Sequence, residues 1–595
     1  MTPAGAFGLI LPLIAPALTV LAAAAALSVR ARWLAATLVA LAFVSDLALS
    51  VTATAINATL GSAEATLFTW SPLGLYGAGV LVRRGAHVAL LTCPALLLAW
   101  YGWNLADRRR RWFIGRAHDT HALSARATAG AALLALAGGL WAVRAADFVS
   151  LFFGVSLFLM SSAAVVTTVA GIASAGRRLV VAYFCLAALL TSGLLLGRVN
   201  GHFQLAGLSS AGFTDAAFFG LALSAAAAAA VPPFHGWFVR SSRNALVPAL
   251  VAAGGSIGAA LLLTAFLTTD LEVSWQGQLR AIGWLAALTG AAIAVTRQRP
   301  TISLGAAWLA HSGTLFLAGS VSTPASLAAW LAFAAIPMSA LALLWLTARA
   351  PWGGHVRARG PAAPSLKAPG FWINLLLLAT AAGLPPTVGG TFRAVLEGAL
   401  TSWPSGDQLL RLPLVLADAA TLVAGSALLW APRYLPPLYG GRGWGVVAVL
   451  GAALCLPAAV PQFLIDPWLG PASAAAVGTG ASPLPLNGAV LPNVSSLALA
   501  LLGAWALAQR LRGKEWLPPL LLALLGALSL AWSEGRKRWR RRGLSGAPAA
   551  MAEGAWQRTQ QGAERATQLL RPFEERYYAG AAILLSVAII FVVGR

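Results

Sequence analysis

The chain has little charge, few cysteines and very few lysines for its length. Charged residues make up 10% of its 595 residues and hydrophobic residues 59%, which excludes an ordinary soluble globular protein. The three cysteines, Cys93, Cys185 and Cys455, lie scattered in apolar segments without metal-ligand spacing, so we predict no iron–sulfur or zinc site and interpret them as small core residues. Because no dinucleotide fingerprint, phosphate loop or nucleophile elbow occurs, we expect no catalytic site and no cofactor in this chain.

The basic excess indicates membrane loops better than a nucleic-acid surface. Lys and Arg number 41 against 18 Asp and Glu, a formal net charge of +23, and they occur in short clusters between apolar runs. Such residues accumulate in the cytoplasmic loops of membrane proteins. If the first helix begins outside, most clusters fall on the cytoplasmic side: 30–32, 108–116, 177–178, 240–243, 297–299 and 348–367. The lysines all lie in predicted loops: Lys367, Lys514 and Lys537.

Apolar runs long enough to cross a bilayer recur along the whole chain. We therefore predict an all-α polytopic membrane protein with about 14 to 17 transmembrane helices. The first run lacks the charged flank and cleavage site of a signal peptide, so we predict a retained helix. The predicted spans are 6–28, 33–56, 87–104, 124–143, 147–173, 179–198, 213–231, 244–268, 280–296, 302–320, 325–347, 371–399, 411–431, 443–461, 490–509, 516–532 and 577–593.

Two of these apolar helices are interrupted by double prolines, at Pro232 and Pro233 and again at Pro385 and Pro386. Proline removes a backbone donor and clashes with the preceding turn, so it breaks or kinks a helix. In hydrocarbon the freed carbonyls must be covered by other protein or by a water-filled cavity. Broken helices in matching halves of a chain are typical of a transport path.

Five segments, in order, resemble the antiporter-like membrane subunits of respiratory complex I, Mrp antiporters, membrane-bound hydrogenases and inorganic-carbon uptake complexes. VPPFHGW and AGLPPTVGGTFRAVLE are similar to the two broken helices of that family. Three further segments are similar to other family helices: AADFVSLFFGVSLFLMSS at 145–162, VVAYFCLAALLTSGLLLG at 180–197 and RPTISLGAAWLAHSG at 299–313. The resemblance covers about residues 130–430 and implies two inverted repeats of about five helices each.

The resemblance and the charge pattern together predict six segments. The amphipathic stretch at 550–575 would lie on the membrane surface, either as the lateral helix of the longest family members or as a short helix that stays with its own subunit. The segments are N-terminal transmembrane helices (1–120), a first antiporter-like repeat (121–270), a second (271–432), additional transmembrane helices (433–533), a basic loop with the amphipathic lateral helix (534–576) and a C-terminal span (577–595).

In working members of the family, charge moves along a row of ionisable residues inside the membrane. Buried lysine suits this role because burial lets it gain and lose a proton, and a nearby carboxylate modulates it. The resemblance implies that most of these positions cannot titrate here. The replaced family residues are a glutamate at Ser156, lysines at Ala228, Thr301 and Ser339, and the histidine of some relatives at Ala252.

A few ionisable candidates for an ion path remain. Arg393 falls on a family lysine, Glu397 follows one turn later at a pairing distance, and Asp418 in the next span is a second possible partner. Because arginine stays protonated, Arg393 could hold charge or water or form a structural ion pair, but it could not relay a proton as lysine does. His311 and His235 could carry protons; the alternatives are a satisfied core histidine and a helix-end cap.

Three hypotheses for function stay open. In the first, the chain serves as a scaffold subunit of a multi-subunit, energy-converting, complex-I-like assembly. In the second, it translocates protons or sodium by a rewired path. The HGW after the first break resembles inorganic-carbon uptake subunits, whose partner would be a peripheral zinc protein resembling a carbonic anhydrase. The expected partners are other membrane subunits, a peripheral catalytic subunit and the lipid bilayer, without nucleic acid. The expected location is the inner (plasma) membrane, as a non-catalytic subunit of a quinone-oxidoreductase-type or hydrogenase-type complex.

Overall fold

The fold is taken from a computed structural model. It describes residues 3–27, 34–42, 44–45, 65–70, 78–82, 120–145, 147–170, 172–205, 214–241, 273–296, 300–320, 369–384 and 411–430, with scattered residues in 247–262, 340–344 and 387–393. The predicted span at 87–104 and the predicted segments 433–533, 534–576 and 577–595 lie outside the described residues.

Ten helices and one two-stranded ribbon make up the named elements of the described part. They are α1 (Pro3–Leu27), β1 (Ala65–Trp70), β2 (Ala78–Val82), α2 (Thr120–Arg144), α3 (Phe148–Ala170), α4 (Ile172–Asn200), α5 (Asp215–Ala228), α6 (Gly236–Ser241), α7 (Val273–Thr296), α8 (Pro300–Gly319), α9 (Pro369–Ala381) and α10 (Arg411–Trp430).

The predicted helical membrane architecture is confirmed. Three described helices contain stretches long and apolar enough to span a bilayer: Arg126–Val143, Phe148–Thr168 and Ala175–Asn200. Shorter apolar helical stretches accompany them: Ile14–Leu27, Asp215–Ala228, Ile302–Leu317, Trp372–Ala381 and Leu412–Gly425. The full number of spans stays a prediction.

A small antiparallel ribbon was not predicted. Strands β1 and β2 pair Ala65 with Val82 and Trp70 with Ala78, with a register shift between Thr66 and Thr69. Their sequences, ATLFTW and AGVLV, combine β-branched and aromatic residues, and proline and glycine lie between the two runs. That composition favours a hairpin.

Helices α2 and α3 approach closely because glycines face each other where they cross. A methyl group on Gly138 would lie 2.5 Å from the amide nitrogen of Phe158 and 2.8 Å from the carbonyl oxygen of Gly154. In return, a methyl group on Gly154 would lie 2.5 Å from the amide nitrogen of Ala142. Small residues that let backbones touch are the usual means of helix association in a membrane, where lipid supplies little hydrophobic drive.

Helices α7 and α8 repeat this contact. A methyl group on Gly290 would lie 2.5 Å from the amide nitrogen of Ala310 and 2.6 Å from the carbonyl oxygen of Ala306. Gly290 therefore meets a carbonyl oxygen and, four residues later on α8, an amide nitrogen. Gly138 meets the same two groups at the same spacing on α3. The two helix pairs thus cross with the same close contact, while the predicted repeat and its inverted orientation stay predictions.

The start of α3 is fixed by Asp147. Its carboxylate accepts hydrogen bonds from the Ser150 amide at 2.8 Å and the Ser150 hydroxyl at 2.6 Å, which satisfies donors left free in the first helical turn. The Asp147 side chain is buried, with 1% of its surface exposed.

An aromatic and polar contact joins the two predicted repeats. The Trp275 indole N–H of α7 donates to Asp215 Oδ1 of α5 at 2.5 Å. The Trp275 ring also stacks on Phe218, with centroids 4.5 Å apart and an interplanar angle of 6°. Most of the buried apolar residues described in the two predicted repeats belong to one core cluster, so the helices of these two segments pack together.

Candidate functional site: two helix breaks and their buried arginines

The first break, residues 229–235, begins with a specific hydrogen-bond pattern. Helix α5 ends at Ala228, and Ala230 then adopts a left-handed conformation with φ 56°. The Val231 amide donates to Ala226 O at 2.9 Å, and the Ala230 amide to Ala227 O at 3.4 Å. These two bonds define a Schellman motif, which satisfies carbonyls at a helix end. The Pro232–Pro233 bond that follows is cis.

The second break, residues 382–388, repeats the pattern after α9. Gly383 has φ 63°. The Leu384 amide donates to Ala379 O at 2.9 Å, and the Gly383 amide to Thr380 O at 3.2 Å. In the sequence a double proline follows at the same offset as in the first break. The predicted correspondence of the two breaks is thereby supported hydrogen bond by hydrogen bond, although Pro385 and Pro386 themselves lie outside the described residues.

Arg393 and Asp418 form a buried ion pair beside the second break. Arg393 Nε donates to Asp418 Oδ2 at 2.7 Å, with side-chain exposures of 2% and 8%. A methyl group on Gly383 would lie 3.0 Å from Arg393 Cβ and Cγ, so the glycine both allows the left-handed turn and makes room for the arginine. The predicted pair of Arg393 with Asp418 is thus present, and Glu397, the other predicted partner, lies outside the described residues.

His311 lies on α8 and forms a hydrogen bond to the side of α10 that carries Asp418. Its Nε2 is 2.6 Å from Thr421 Oγ1, and its side chain is fully buried. The Thr421 hydroxyl donates to Ala417 O at 2.8 Å, so its oxygen is left to accept a hydrogen bond, and Nε2–H is the donor. Thr421 follows Asp418 by three residues, which places both on one side of α10.

The structure therefore brings together three of the five predicted ion-path residues. Asp418 of α10 pairs with Arg393, which follows the second break. Thr421 of α10 forms a hydrogen bond with His311 of α8. Thr421 was not predicted, since a single threonine in an apolar helix carries no distinctive sequence signal. This is a buried polar cluster that can hold charge, but the guanidinium of Arg393 cannot deliver a proton at neutral pH.

His235, the other predicted histidine, lies at the first break. Its backbone carbonyl accepts the Phe238 amide at 3.0 Å and so begins α6. Its half-buried ring has no hydrogen-bond partner at Nδ1 within the described part of the chain. No contact among the described residues joins His235 to the Arg393–Asp418 pair.

The predicted non-titrating positions take neutral roles wherever they are described. The Ser156 hydroxyl donates to Phe152 O of its own helix at 2.6 Å, and Ala228 is fully buried at the end of α5. Thr301 lies in the first turn of α8, and its side chain is not described. Ala252 and Ser339 lie outside the described residues.

Arg178 is the buried charge that sequence reasoning missed. It was assigned to a cytoplasmic loop cluster at 177–178, and this prediction is wrong. Helix α4 begins at Ile172, so Arg178 lies in its second turn with a fully buried side chain. The sequence signal for this position is the small, apolar composition of residues 172–176. These residues extend the helix N-terminally, so Arg178 lies within the helix.

Arg178 is held by three other helices. Its Nε donates to Ser162 Oγ of α3 at 2.9 Å, and its Nη1 is 3.5 Å from Ala227 O of α5. The guanidinium carbon lies 4.2 Å from the ring centroid of Trp237 in α6, a cation–π arrangement. Each helix break thus has one buried arginine beside it.

A second contact fixes α4 against α5 two turns further along. The Cys185 thiol lies 3.3 Å from Ser224 O, and the Ser224 hydroxyl donates to Cys185 O at 3.0 Å. Cys185 is a free, buried thiol, in accord with its interpretation as a small core residue. Among the described residues no group of three or more His, Cys, Asp or Glu side chains could hold a metal ion.

Comparison with known proteins gives a fold but no close relative. No protein-family model matches the sequence, and no curated protein matches it either. Among solved structures, a chain of the Mrp complex from Dietzia sp. DQ12-45-1b has a TM-score of 0.63 at 19% identity, over 98% of this chain and 63% of that one. A chain of respiratory complex I from Thermus thermophilus with bound NADH has a TM-score of 0.60 at 22% identity, over 79% of this chain and 100% of that one.

The chain has the antiporter-like fold. The resemblance seen in the five sequence segments is confirmed at the level of the fold, as is a multi-pass membrane protein. The chain spans about 63% of the length of the Mrp chain that it matches.

Proposed function

We propose that this antiporter-like chain is a scaffold subunit of a multi-subunit, complex-I-like membrane assembly, with a first repeat that does not conduct protons. The observation that carries the proposal is the non-titratable character of Ser156 and Ala228, two described positions of the predicted first repeat where family members have a glutamate and a lysine. Ser156 closes its hydroxyl on its own helix, and Ala228 offers no titratable group. A proton would have to pass these two positions without a side chain to accept it, which sets a high electrostatic barrier in a low-dielectric interior.

Arg178 raises that barrier further. A buried guanidinium stays protonated, and its field repels a second positive charge strongly where the dielectric constant is low. Protons and sodium ions are both disfavoured near it. The charge that remains in the first repeat therefore opposes cation passage instead of assisting it.

The second repeat contains a paired arginine in place of an exchangeable lysine. With Asp418 at 2.7 Å, Arg393 braces the end of a broken helix against α10. A scaffold needs such rigid contacts to present its surface to neighbouring subunits. The expected neighbours are other membrane subunits and a peripheral catalytic subunit, in the inner (plasma) membrane.

A flux measurement tests the absence of conduction. The full-length protein is reconstituted into liposomes with a pH-sensitive dye inside, and an imposed potential or sodium gradient drives transport. We expect flux equal to that of protein-free liposomes. Flux above that level, lost in Arg393→Ala, would contradict the scaffold and establish conduction.

Identification of co-purifying subunits tests the assembly. We expect membrane subunits together with a peripheral redox subunit. A zinc-containing peripheral subunit resembling a carbonic anhydrase would instead support the inorganic-carbon alternative. Purification of the chain alone from native membranes under mild detergent conditions would contradict both.

A rewired ion path through the second repeat is the other candidate, and one observation favours it. Arg393, Asp418, His311 and Thr421 form a polar cluster inside the membrane region, and ionisable residues at such depth are usually functional. In this case His311→Phe and Asp418→Asn would each abolish the reconstituted flux. Serine in place of Thr421 would retain it, since the hydroxyl that bonds His311 is kept.

A further inference from the structure

The guanidinium of Arg178 is incompletely satisfied in a fully buried place. Nε has a good acceptor in Ser162 Oγ at 2.9 Å, but Nη1 has only a 3.5 Å contact with Ala227 O. Nη2 has no hydrogen-bond partner within the described part of the chain. The edge formed by Nη1 and Nη2 is therefore the unsatisfied part of the side chain.

No carboxylate of the described part neutralises Arg178. That part contains three acidic residues, Asp147, Asp215 and Asp418. They are bonded to Ser150 at the start of α3, to the indole of α7 and to the arginine of the second break, respectively. A buried cation without a counter-charge is strongly destabilising, because nothing offsets the loss of its hydration.

Trp237 offsets part of this cost without satisfying the edge. Its ring centroid lies 4.2 Å from the guanidinium carbon, and a desolvated cation–π contact stabilises the cation. The contact covers the face of the planar group. The N–H donors of Nη1 and Nη2 lie in the plane, so they still need acceptors.

The second break differs in its counter-charge. There the Nε of the buried Arg393 bonds to the carboxylate of Asp418 at 2.7 Å, whereas Arg178 beside the first break has neutral oxygens only. A planar, singly charged acceptor with two oxygens would supply a counter-charge to Arg178, and it has the shape that a guanidinium fork binds in a bidentate manner.

We propose that the Nη1–Nη2 edge of Arg178 binds a small, planar, monovalent oxyanion at the first helix break. The anion would supply Arg178 with the negative charge that Asp418 supplies to Arg393, but at the Nη1–Nη2 edge instead of at Nε. The Trp237 ring and the Ser162 hydroxyl would hold the guanidinium in position. The proposal goes beyond the scaffold role and holds whether or not the chain conducts cations.

Anion titration of the purified full-length protein, with its co-purifying subunits, tests the proposal. The protein is kept in a gluconate buffer, and nitrate, formate or chloride is added while the thermal unfolding midpoint and the heat of binding are measured. Because a ligand of the folded state stabilises it by mass action, nitrate and formate should raise the midpoint in a saturable manner. Spherical chloride, which cannot engage both nitrogens in the same way, should bind more weakly.

Two variants and a control assign the effect to this site. Arg178→Lys keeps the charge but loses the fork, so nitrate should bind about ten- to a hundredfold more weakly and lose its advantage over chloride. Ser162→Asp places a carboxylate beside the guanidinium and should remove the anion response while Arg178 is kept. Arg177→Gln, a half-buried neighbour, should respond as the wild type does.

Three results would overturn the proposal. These are the absence of saturable binding in the wild type, an unchanged nitrate affinity in both Arg178→Lys and Ser162→Asp, and a loss of binding in Arg177→Gln, which would assign the effect to surface charge. If Arg178→Lys does not fold, the response of Ser162→Asp decides the question.

Discussion

At the scale of single residues, the buried charges are where this chain departs most from a plain apolar bundle. Arg393 and Asp418 are nearly inaccessible to solvent and only 2.7 Å apart. Such a pair adds little net stability, because desolvation offsets most of the attraction, yet each partner is indispensable while the other is present. By the same reasoning, Arg178 is the buried charge that most needs a ligand, because it has no carboxylate partner among the described residues.

Breaking the pair should be costly, and replacing it whole should not. Asp418→Asn leaves the arginine buried without its counter-charge, so we expect a loss of about 3–5 kcal/mol in the free energy of unfolding. The double variant Arg393→Leu with Asp418→Leu should lose much less. Chemical denaturation in detergent micelles measures both, and a double variant as unstable as Asp418→Asn would contradict this account.

At the scale of elements, the two helix breaks use one backbone device with different residues. The left-handed position is alanine in the first break, Ala230 with φ 56°, and glycine in the second, Gly383 with φ 63°. Alanine is strained there because its Cβ crowds the following carbonyl, and glycine is not. The second break needs glycine for another reason, because Arg393 packs against it.

Glycine in place of Ala230 and alanine in place of Gly383 should therefore have opposite effects on stability. Ala230→Gly should stabilise the protein by up to about 1 kcal/mol, because it removes the left-handed strain. Gly383→Ala should destabilise it by at least about 1–2 kcal/mol, because it adds that strain and displaces Arg393. Thermal unfolding midpoints in detergent compare the two, and shifts of the same sign would show that the breaks are not equivalent.

The glycine crossings between helices give a second test at this scale. Gly138→Ala and Gly290→Ala each place a methyl group 2.5 Å from a backbone nitrogen of the facing helix. Each should cost about 1–3 kcal/mol, because the backbones must separate. Gly176→Ala is the matched control, since a methyl group there meets nothing within 4 Å and alanine favours a helix. An equal loss of unfolding free energy in all three variants would exclude a packing effect.

At the scale of the whole molecule, the helices described in the two predicted repeats share one large core cluster, and Trp275 contacts Asp215 and Phe218 between them. A rigid, charge-poor bundle with bent helices suits a docking role. The predicted basic loop and lateral helix at 534–576, with the span at 577–595, would extend that unit along neighbouring subunits.

Removal of residues 534–595 should separate assembly from insertion. We expect the shortened chain to reach the membrane and unfold at the wild-type temperature, because the core of both repeats is kept, while partner subunits no longer co-purify. Quantitative mass spectrometry of tagged, detergent-solubilised complexes measures the loss, with Asp418→Asn as a full-length control of altered stability. Retention of all partners would contradict a docking role for the tail.

The main features of the fold could be predicted from sequence because they depend on local patterns. Long apolar runs, double prolines and five ordered segments predicted the helices α1 to α5, α7, α8 and α10, both breaks and the antiporter-like fold. The pairing of Arg393 with Asp418 was predicted as one of two choices. The position of Arg178 was not, because a neighbouring arginine and a following apolar run made it look like the start of a span.

The sequence by itself determined that this protein is built for a lipid bilayer, and it determined where the two broken helices are interrupted. Both follow from composition and from proline chemistry, which act over a few residues. Only the tertiary structure decided which charges meet, since Arg393, Asp418 and His311 come from three helices far apart in the chain. The burial of Arg178 is of the same kind, because it depends on how Ser162, Ala227 and Trp237 converge, and no local pattern encodes that convergence.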